Sequence, residues 1–382
     1  MRTFILYMFL FGTFAFAKAQ QAFHNFGDIQ IHDQGQMGFH IDLINDGDFD
    51  DNLGLAGFYN TQNELFISGS NQPIFYDMEV DVADDLILEV ATGVSNFLEF
   101  LDGRIITPRA DIPTYLDFTN NGIYLGEDDP RHVDGYVNND GDLDFIFPIG
   151  DDFRLRTLSV LREDTSFTSY TAAYFFEDPN NPSTLGGNFV TSNFQNTLSI
   201  VSEHEYWDLD GTQPARVTLT WDEQSLIPLL ADDLSFLRVV GFSTALNLWV
   251  DLGNTAVSGN FDQGEITSQV IDPSLYSALT FGSILRANGD IRPFTIMTPN
   301  GDGLNDTFII EGIESIPGNE LILFNRWGVE VFNMRDYDNS FDGTSNGRVT
   351  INEGQELPVG TYYYVLKIPG RQDIAGPFYI QR

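Results

Sequence analysis

Short runs in which every second side chain is apolar dominate this chain, and the three-to-four-residue apolar spacing of an amphipathic helix is not evident in it. A chain patterned in this way buries its faces as strands, so the expected fold class is all-β. Leu86, Leu88 and Val90 show the alternation plainly, and similar runs lie at 28–32, 39–43, 64–68, 78–82 and 97–101. Between residues 20 and 131 the runs return about every 20 residues, as in Leu65-Phe66-Ile67-Ser68-Gly69, Asp85-Leu86-Ile87-Leu88-Glu89 and Ile105-Ile106-Thr107. That spacing suits the coils of an irregular parallel β-solenoid, each burying its face on the next. A meandering antiparallel sandwich satisfies the same alternation, and both readings stand.

The polar turn Asp128-Asp129-Pro130-Arg131 marks an expected boundary, after which residues 132–288 read as a second domain. Seven or more strands over about 150 residues, including 172–176, 216–221, 236–242, 245–251 and 279–284, suit a β-sandwich of immunoglobulin or jelly-roll type. Residues 177–187, rich in Asp, Pro, Asn and Gly, read as an inserted surface loop, and 286–291 as a linker. The remaining stretch, 289–382, opens on a dense turn. Pro299, Asn300, Gly301, Asp302, Gly303, Asn305 and Asp306 supply positive-φ positions and side chains that bond back to their own backbone. Tyr362, Tyr364, Leu366 and Ile368 form one apolar face of a later strand, with Tyr363, Val365 and Lys367 on the other.

Three blocks stand in order here: Pro299-Asn300-Gly301-Asp302-Gly303-Leu304-Asn305-Asp306, Phe324-Asn325-Arg326-Trp327-Gly328-Val329-Glu330-Val331-Phe332, and Leu357-Pro358-Val359-Gly360-Thr361-Tyr362-Tyr363-Tyr364. The segment resembles the gliding-motility-associated C-terminal domain, the type B sorting domain of substrates of the Bacteroidota type IX secretion system. The family usually carries Trp-Asp-Gly between the second and third blocks, where this chain has Phe341-Asp342-Gly343. The resemblance implies a small immunoglobulin-like sandwich read as an export and attachment signal. Its implied partners are the type IX machinery and a dedicated outer-membrane barrel. Phe147-Pro148-Ile149-Gly150-Asp151 is in addition similar to a turn frequent in large secreted proteins of the same phylum. By alternation Trp327 falls with Leu321 and Leu323 and is expected to cap the core, unless the turn at Asn325 breaks the register; Arg326, on the opposite side, is then free for a carboxylate or a partner.

Residues 1–19 read as a secretory signal peptide: Arg2, an apolar run over 4–17, and small residues at Ala17 and Ala19 before the expected cleavage. No other stretch is long and apolar enough for a transmembrane helix. Cysteine is absent, so an exported chain of this length has no disulfides and is held by β-sheet burial, with bound metal as a further aid open to it, and 33 Phe are available for that burial. The net charge of −38 sits mostly in residues 21–289, with 43 acidic against 9 basic side chains, while 290–382 has 13 against 7. A surface so acidic repels nucleic acid and anionic membrane and attracts divalent cations.

Alternating carboxylates at Asp46, Asp48 and Asp50, and at Asp140, Asp142 and Asp144, lie in Gly-containing turns where they can converge on one hard cation such as calcium. The other reading of each is a solvated acidic turn serving its own backbone. Asn300, Asp302 and Asp306 carry the same pair of readings, with turn-forming bonds favoured. No zinc-ligand spacing, nucleophile elbow or phosphate loop is present, and no other cofactor is implied. Trp207, Trp221, Trp249 and Tyr206 are candidates for stacking on sugars, although the spacing of Val217, Leu219 and Trp221 is that of a core strand. The expected protein is an exported, non-enzymatic surface adhesin or structural interaction module. The alternative is a polysaccharide-binding or -degrading surface protein.

Overall fold

The computed structural model describes residues 22–152, 154–284, 291–301, 305–347, 355–369 and 373–382. The leader read at 1–19 lies outside them. The regular structure of the described chain is nearly all strand, and the chain falls into two compact units, within 1–284 and 285–382.

The first unit begins as a β-solenoid. Successive coils each give one strand to a first sheet (Ala22–Asn25, Asp42–Asn45, Leu65–Ser68, Leu86–Leu88, Ile105–Ile106, Val133–Asp134) and one to a second (Gln36–Phe39, Leu55–Asn60, Ile74–Val82, Thr92–Asp102, Leu116–Phe118, Val137–Gly141). Neighbouring coils pair in parallel, as in Phe23 with Leu43, Leu65 with Leu86, and Met78 with Leu98. Because partners sit about one repeat apart, inward-facing apolar residues recur above one another and form buried columns. Leu65, Leu86, Ile105, Val133 and Ile149 form one buried column of the first sheet. Phe39, Phe58, Val80 and Phe100 form a buried column of the second. The Phe39 and Phe58 rings stack at 4.9 Å, and Phe75 meets Phe58 edge-on at 5.7 Å. Polar residues inside the bends pair along the axis too. Asn25 Nδ2 donates to Asn45 Oδ1 at 2.8 Å, and Asn45 Nδ2 donates to Asn71 O at 3.0 Å.

No domain boundary falls at residue 131, because the second sheet runs straight across it. Leu116–Phe118 pairs in parallel with Val137–Gly141, which in turn pairs antiparallel with Thr168–Phe175. The same sheet then continues through Tyr206–Gly211, Tyr276–Ile284, Leu237–Ser243 and Leu248–Asp251. A five-stranded sheet (Phe145–Phe147, Leu158–Arg162, Ala215–Trp221, Gly264–Thr267, Ala256–Gly259) packs against it. Trp207 and Trp221 both meet Phe281 edge-on between the two, at 5.4 and 6.0 Å. The expected sandwich is therefore real, but it shares a sheet and a core with the solenoid. The segment read as an inserted loop at 177–187 leads directly into a packed cover. Phe189 lies buried against Tyr206 and Phe242, at 5.6 and 5.3 Å, and closes the opposite face of the sheet.

The second unit is a five-stranded sheet in the order Ile296–Met297, Ile374–Ile380, Gly360–Lys367, Glu320–Phe324, Glu330–Arg335, with a small pairing of Arg292–Pro293 and Ile310–Glu311. Its core holds Phe308, Leu321, Leu323, Phe341, Tyr362, Leu366 and Phe378.

Truncating an in-register column opens a void that neighbours above and below cannot fill. Phe58→Ala is expected to lower the unfolding free energy of the chain by about 3–5 kcal/mol in urea, while Phe26→Ala, whose ring is exposed, leaves it within about 0.5 kcal/mol.

Candidate functional site

In the C-terminal unit the first block folds into a loop closed by one carboxylate. Asp306 Oδ1 accepts the backbone N–H groups of Asn300 and Gly301 at 3.0 and 2.7 Å, and Thr298 N donates to Asn305 O at 2.7 Å. Gly301 and Asn305 take positive φ, +79° and +52°. Asp302 and Gly303 lie outside the described residues. Pro299 covers Gly343, where an added Cβ would stand 3.3 Å from Met297 and 3.6 Å from Pro299 at a φ of +89°. Phe341 occupies the place of the family's tryptophan and packs its buried ring 4.5 Å from Phe332. Gly360 opens the strand that carries Tyr362, whose hydroxyl donates to Pro358 O at 2.8 Å.

The second block makes a hairpin, and here the expectation for Trp327 is overturned. Asn325 Oδ1 accepts the N–H of Trp327 at 3.0 Å and of Val329 at 3.1 Å, and Gly328 turns the chain at φ +77°. The turn breaks the strand alternation at Asn325, so Trp327 points out of the core with 72% of its surface exposed. The Arg326 guanidinium lies over the indole, 4.1 Å from its centroid. The void expected from Trp327→Ala has no place in this geometry.

The blocks thus form one small β-module with its own core and a polar, turn-rich rim, the build of a portable recognition tag. Residues 291–380, about a quarter of the chain, match the family model of the CHU_C Type IX secretion signal domain. The chain therefore carries a type IX secretion signal, which directs it to the cell surface or into the medium and implies contact with that machinery. No curated protein and no solved structure matches the chain. Among the described residues no helix is long and apolar enough to cross a membrane.

In the first unit the carboxylate triplets do not gather. Asp46, Asp48 and Asp50 alternate outward while Asn45, Gly47 and Phe49 point in. Asp46 lies 2.7 Å from His24 Nε2 and accepts Ser70 N and Oγ at 2.9 and 2.8 Å, bonds that hold its carboxyl below the usual range. Asp142 accepts Asn121 Nδ2 at 2.8 Å and Asp144 accepts Arg162 N at 2.8 Å. The guanidinium of Arg162 already occupies this turn, donating to Leu143 O at 2.6 Å and Asn139 Oδ1 at 2.7 Å. Among the described residues no group of three or more His, Asp or Glu side chains is placed to hold a metal. Trp207, Trp221, Trp249 and Tyr206 are buried and unavailable for stacking on a ligand.

Missing from the sequence reading were the arginines. All eight described arginines of the first unit bind carboxylates or backbone oxygens. Arg104 spans Asp85 at 2.7 Å and Asp134 at 3.1 Å, and Arg109 joins Asp134 at 2.7 Å to Gly150 O at 2.9 Å, so a charged ladder crosses successive coils. Arg156 lies buried between Glu205 and Asp222. Burial pushes the Glu205 carboxyl up, against the pull of Arg156. The scarcity of cations in so acidic a segment was the signal that these few have structural partners.

Asp208 is buried and accepts the Tyr136 hydroxyl at 2.6 Å, and burial pushes its pKa up to about 6. Between an ordinary carboxylate pKa and 6 the folded chain holds a proton that the unfolded chain has lost. Stability therefore falls as pH rises through that window. Asp208→Asn should reduce the fall between pH 4 and 7 by about 2–3 kcal/mol, read from urea unfolding at each pH. With the triplets splayed or already filled by Arg162, millimolar calcium at fixed ionic strength is expected to leave the melting temperature unchanged. A rise on adding calcium would mean that the turns rearrange around the ion.

Proposed function

We propose that the chain is a type IX cargo whose first unit works outside the cell as an adhesin or structural interaction module. On this reading the leader at 1–19 takes it over the inner membrane, and residues 289–382 take it over the outer one through a barrel partner. The support is one feature of the solenoid, the outward face of its second sheet. Register aligns Leu55, Asp77, Phe97 and Ile123 in one row and Gly57, Glu79, Glu99 and Leu125 in the next. Each row crosses four strands, about 14 Å at the usual strand spacing. Tyr59 lies flat across it, close above Gly38 and Gly57, and donates to Glu79 Oε2 at 2.5 Å. A sheet surface mixing apolar and acidic side chains suits contact with another macromolecule.

A hollow of about 340 Å³ on this face, lined by Gln36, Tyr76, Asp77, Phe97 and Glu99 among others, favours surface polysaccharide as the second reading. Its aromatic and amide groups suit a sugar chain.

Deleting residues 290–382 should leave the protein in the periplasm, as fractionation and surface proteolysis will show. Normal surface levels of the truncated chain would sink the export part of the proposal. For the passenger, Phe97→Asp with Leu125→Asp should lower cell adhesion severalfold at unchanged surface density. Equal adhesion rules this face out as the contact surface. Retention of the purified full chain on insoluble polysaccharide, abolished by the same pair, selects the second reading.

A further inference from the structure

The hairpin tip of the C-terminal unit has properties that neither its core nor its turn requires. Trp327 is 72% exposed, the most exposed large hydrophobic side chain of that unit among the described residues. Its indole is not among the side chains of the module's core, and the turn is already held by Asn325. Arg326 is equally unexplained. The chain has 56 acidic side chains, and every described arginine of the first unit is engaged, yet among the described residues no carboxylate pairs with Arg326. Its guanidinium rests on the indole instead, an arrangement that holds a planar donor fork and an aromatic face together, ready-made.

The surroundings extend the surface. Phe324, next to the turn, lies on the outward face of the sheet, in register with Tyr363 and through it with Pro377. Tyr363 is 47% exposed and Tyr379, on the same face, 40%. An apolar strip thus lies beside the tip, on the face turned away from the core. Exposed Trp, Tyr and Arg in one place are the residue types that carry most of the energy of protein interfaces.

We propose that Arg326 and Trp327 form the point by which this module is gripped for export. The partner is a protein of the type IX machinery with an apolar pocket for the indole and a carboxylate at its rim for the guanidinium. This rests on the export reading given above. Charge argues for an acidic rim: the tip offers a cation that no carboxylate of the described residues matches, in a chain whose net charge of −38 repels an acidic partner from most of its remaining surface. The pairing therefore selects orientation as well as partner.

The test uses the full-length chain in cells that carry the machinery. Trp327→Ala and, separately, Arg326→Glu should each lower the ratio of surface to periplasmic protein about tenfold or more, as expected for loss of an interface hot spot. Both purified full chains should melt with the parent, since neither side chain is packed. Trp327→Phe, which keeps an aromatic face, should retain part of the export. Parental export of both Trp327→Ala and Arg326→Glu overturns the proposal, and so does a lowered melting temperature for either, which would place the pair in the fold instead. Deletion of 290–382 separates the two levels. A truncated chain that still reaches the surface overturns the export reading itself. A blocked truncation beside fully exported point variants overturns only the role of the tip.

Discussion

Stacking at a fixed repeat is what the first unit depends on. Parallel pairing of one coil on the next places each side chain over its counterpart about 20 residues away, so the inward-facing columns must be apolar from coil to coil to close. A single charged residue inside the Leu65, Leu86, Ile105, Val133, Ile149 column would meet apolar neighbours on both sides. With no cysteine available, this burial and the backbone ladders of its two sheets hold the solenoid together.

The acidity of the chain sets the second condition. Mutual repulsion of so many carboxylates opposes a compact state, and the arginines counter it locally. Arg104 and Arg109 tie Asp85, Asp134 and Gly150 across successive coils, and Arg162 is set into the turn that carries Asp142 and Asp144. Each guanidinium has several donors in one plane and so meets more than one partner at once, which a lysine does less well. The first unit accordingly contains no lysine after residue 21.

Much of this was legible from the residues. The two-residue alternation of Leu86 and Leu88, the repeat near 20, the apolar face of Tyr362, Tyr364 and Leu366, and the three ordered C-terminal blocks all have direct counterparts in the structure. What stayed hidden was non-local. Composition at Asp128-Asp129-Pro130-Arg131 marks a turn, but nothing in it shows that Leu116–Phe118 and Val137–Gly141 pair across it. For Trp327 the outcome hung on whether the turn at Asn325 kept the register, and it does not. Alternation holds only while the chain is extended, and Asn325 ends the strand two residues earlier. The carboxylate triplets show the limit from the other side, since spacing along a chain does not say which way the side chains turn or that Arg162 stands among them.

The sheet shared by solenoid and sandwich also governs the order in which the unit comes apart. Among the described residues, Ala22–Asn25 and Gln36–Phe39 each have a strand neighbour on one side only, whereas Val137–Gly141 is clasped between a coil and the sandwich. A stack of this kind behaves as a one-dimensional chain of neighbours, in which the terminal member has half the cohesion of an inner one. Amide exchange should therefore run as a gradient, fastest in the first coil and slowest near the seam with the sandwich. Damage to any one coil would loosen those on its free side and leave those toward the sandwich closed, so the unit yields by peeling from one end.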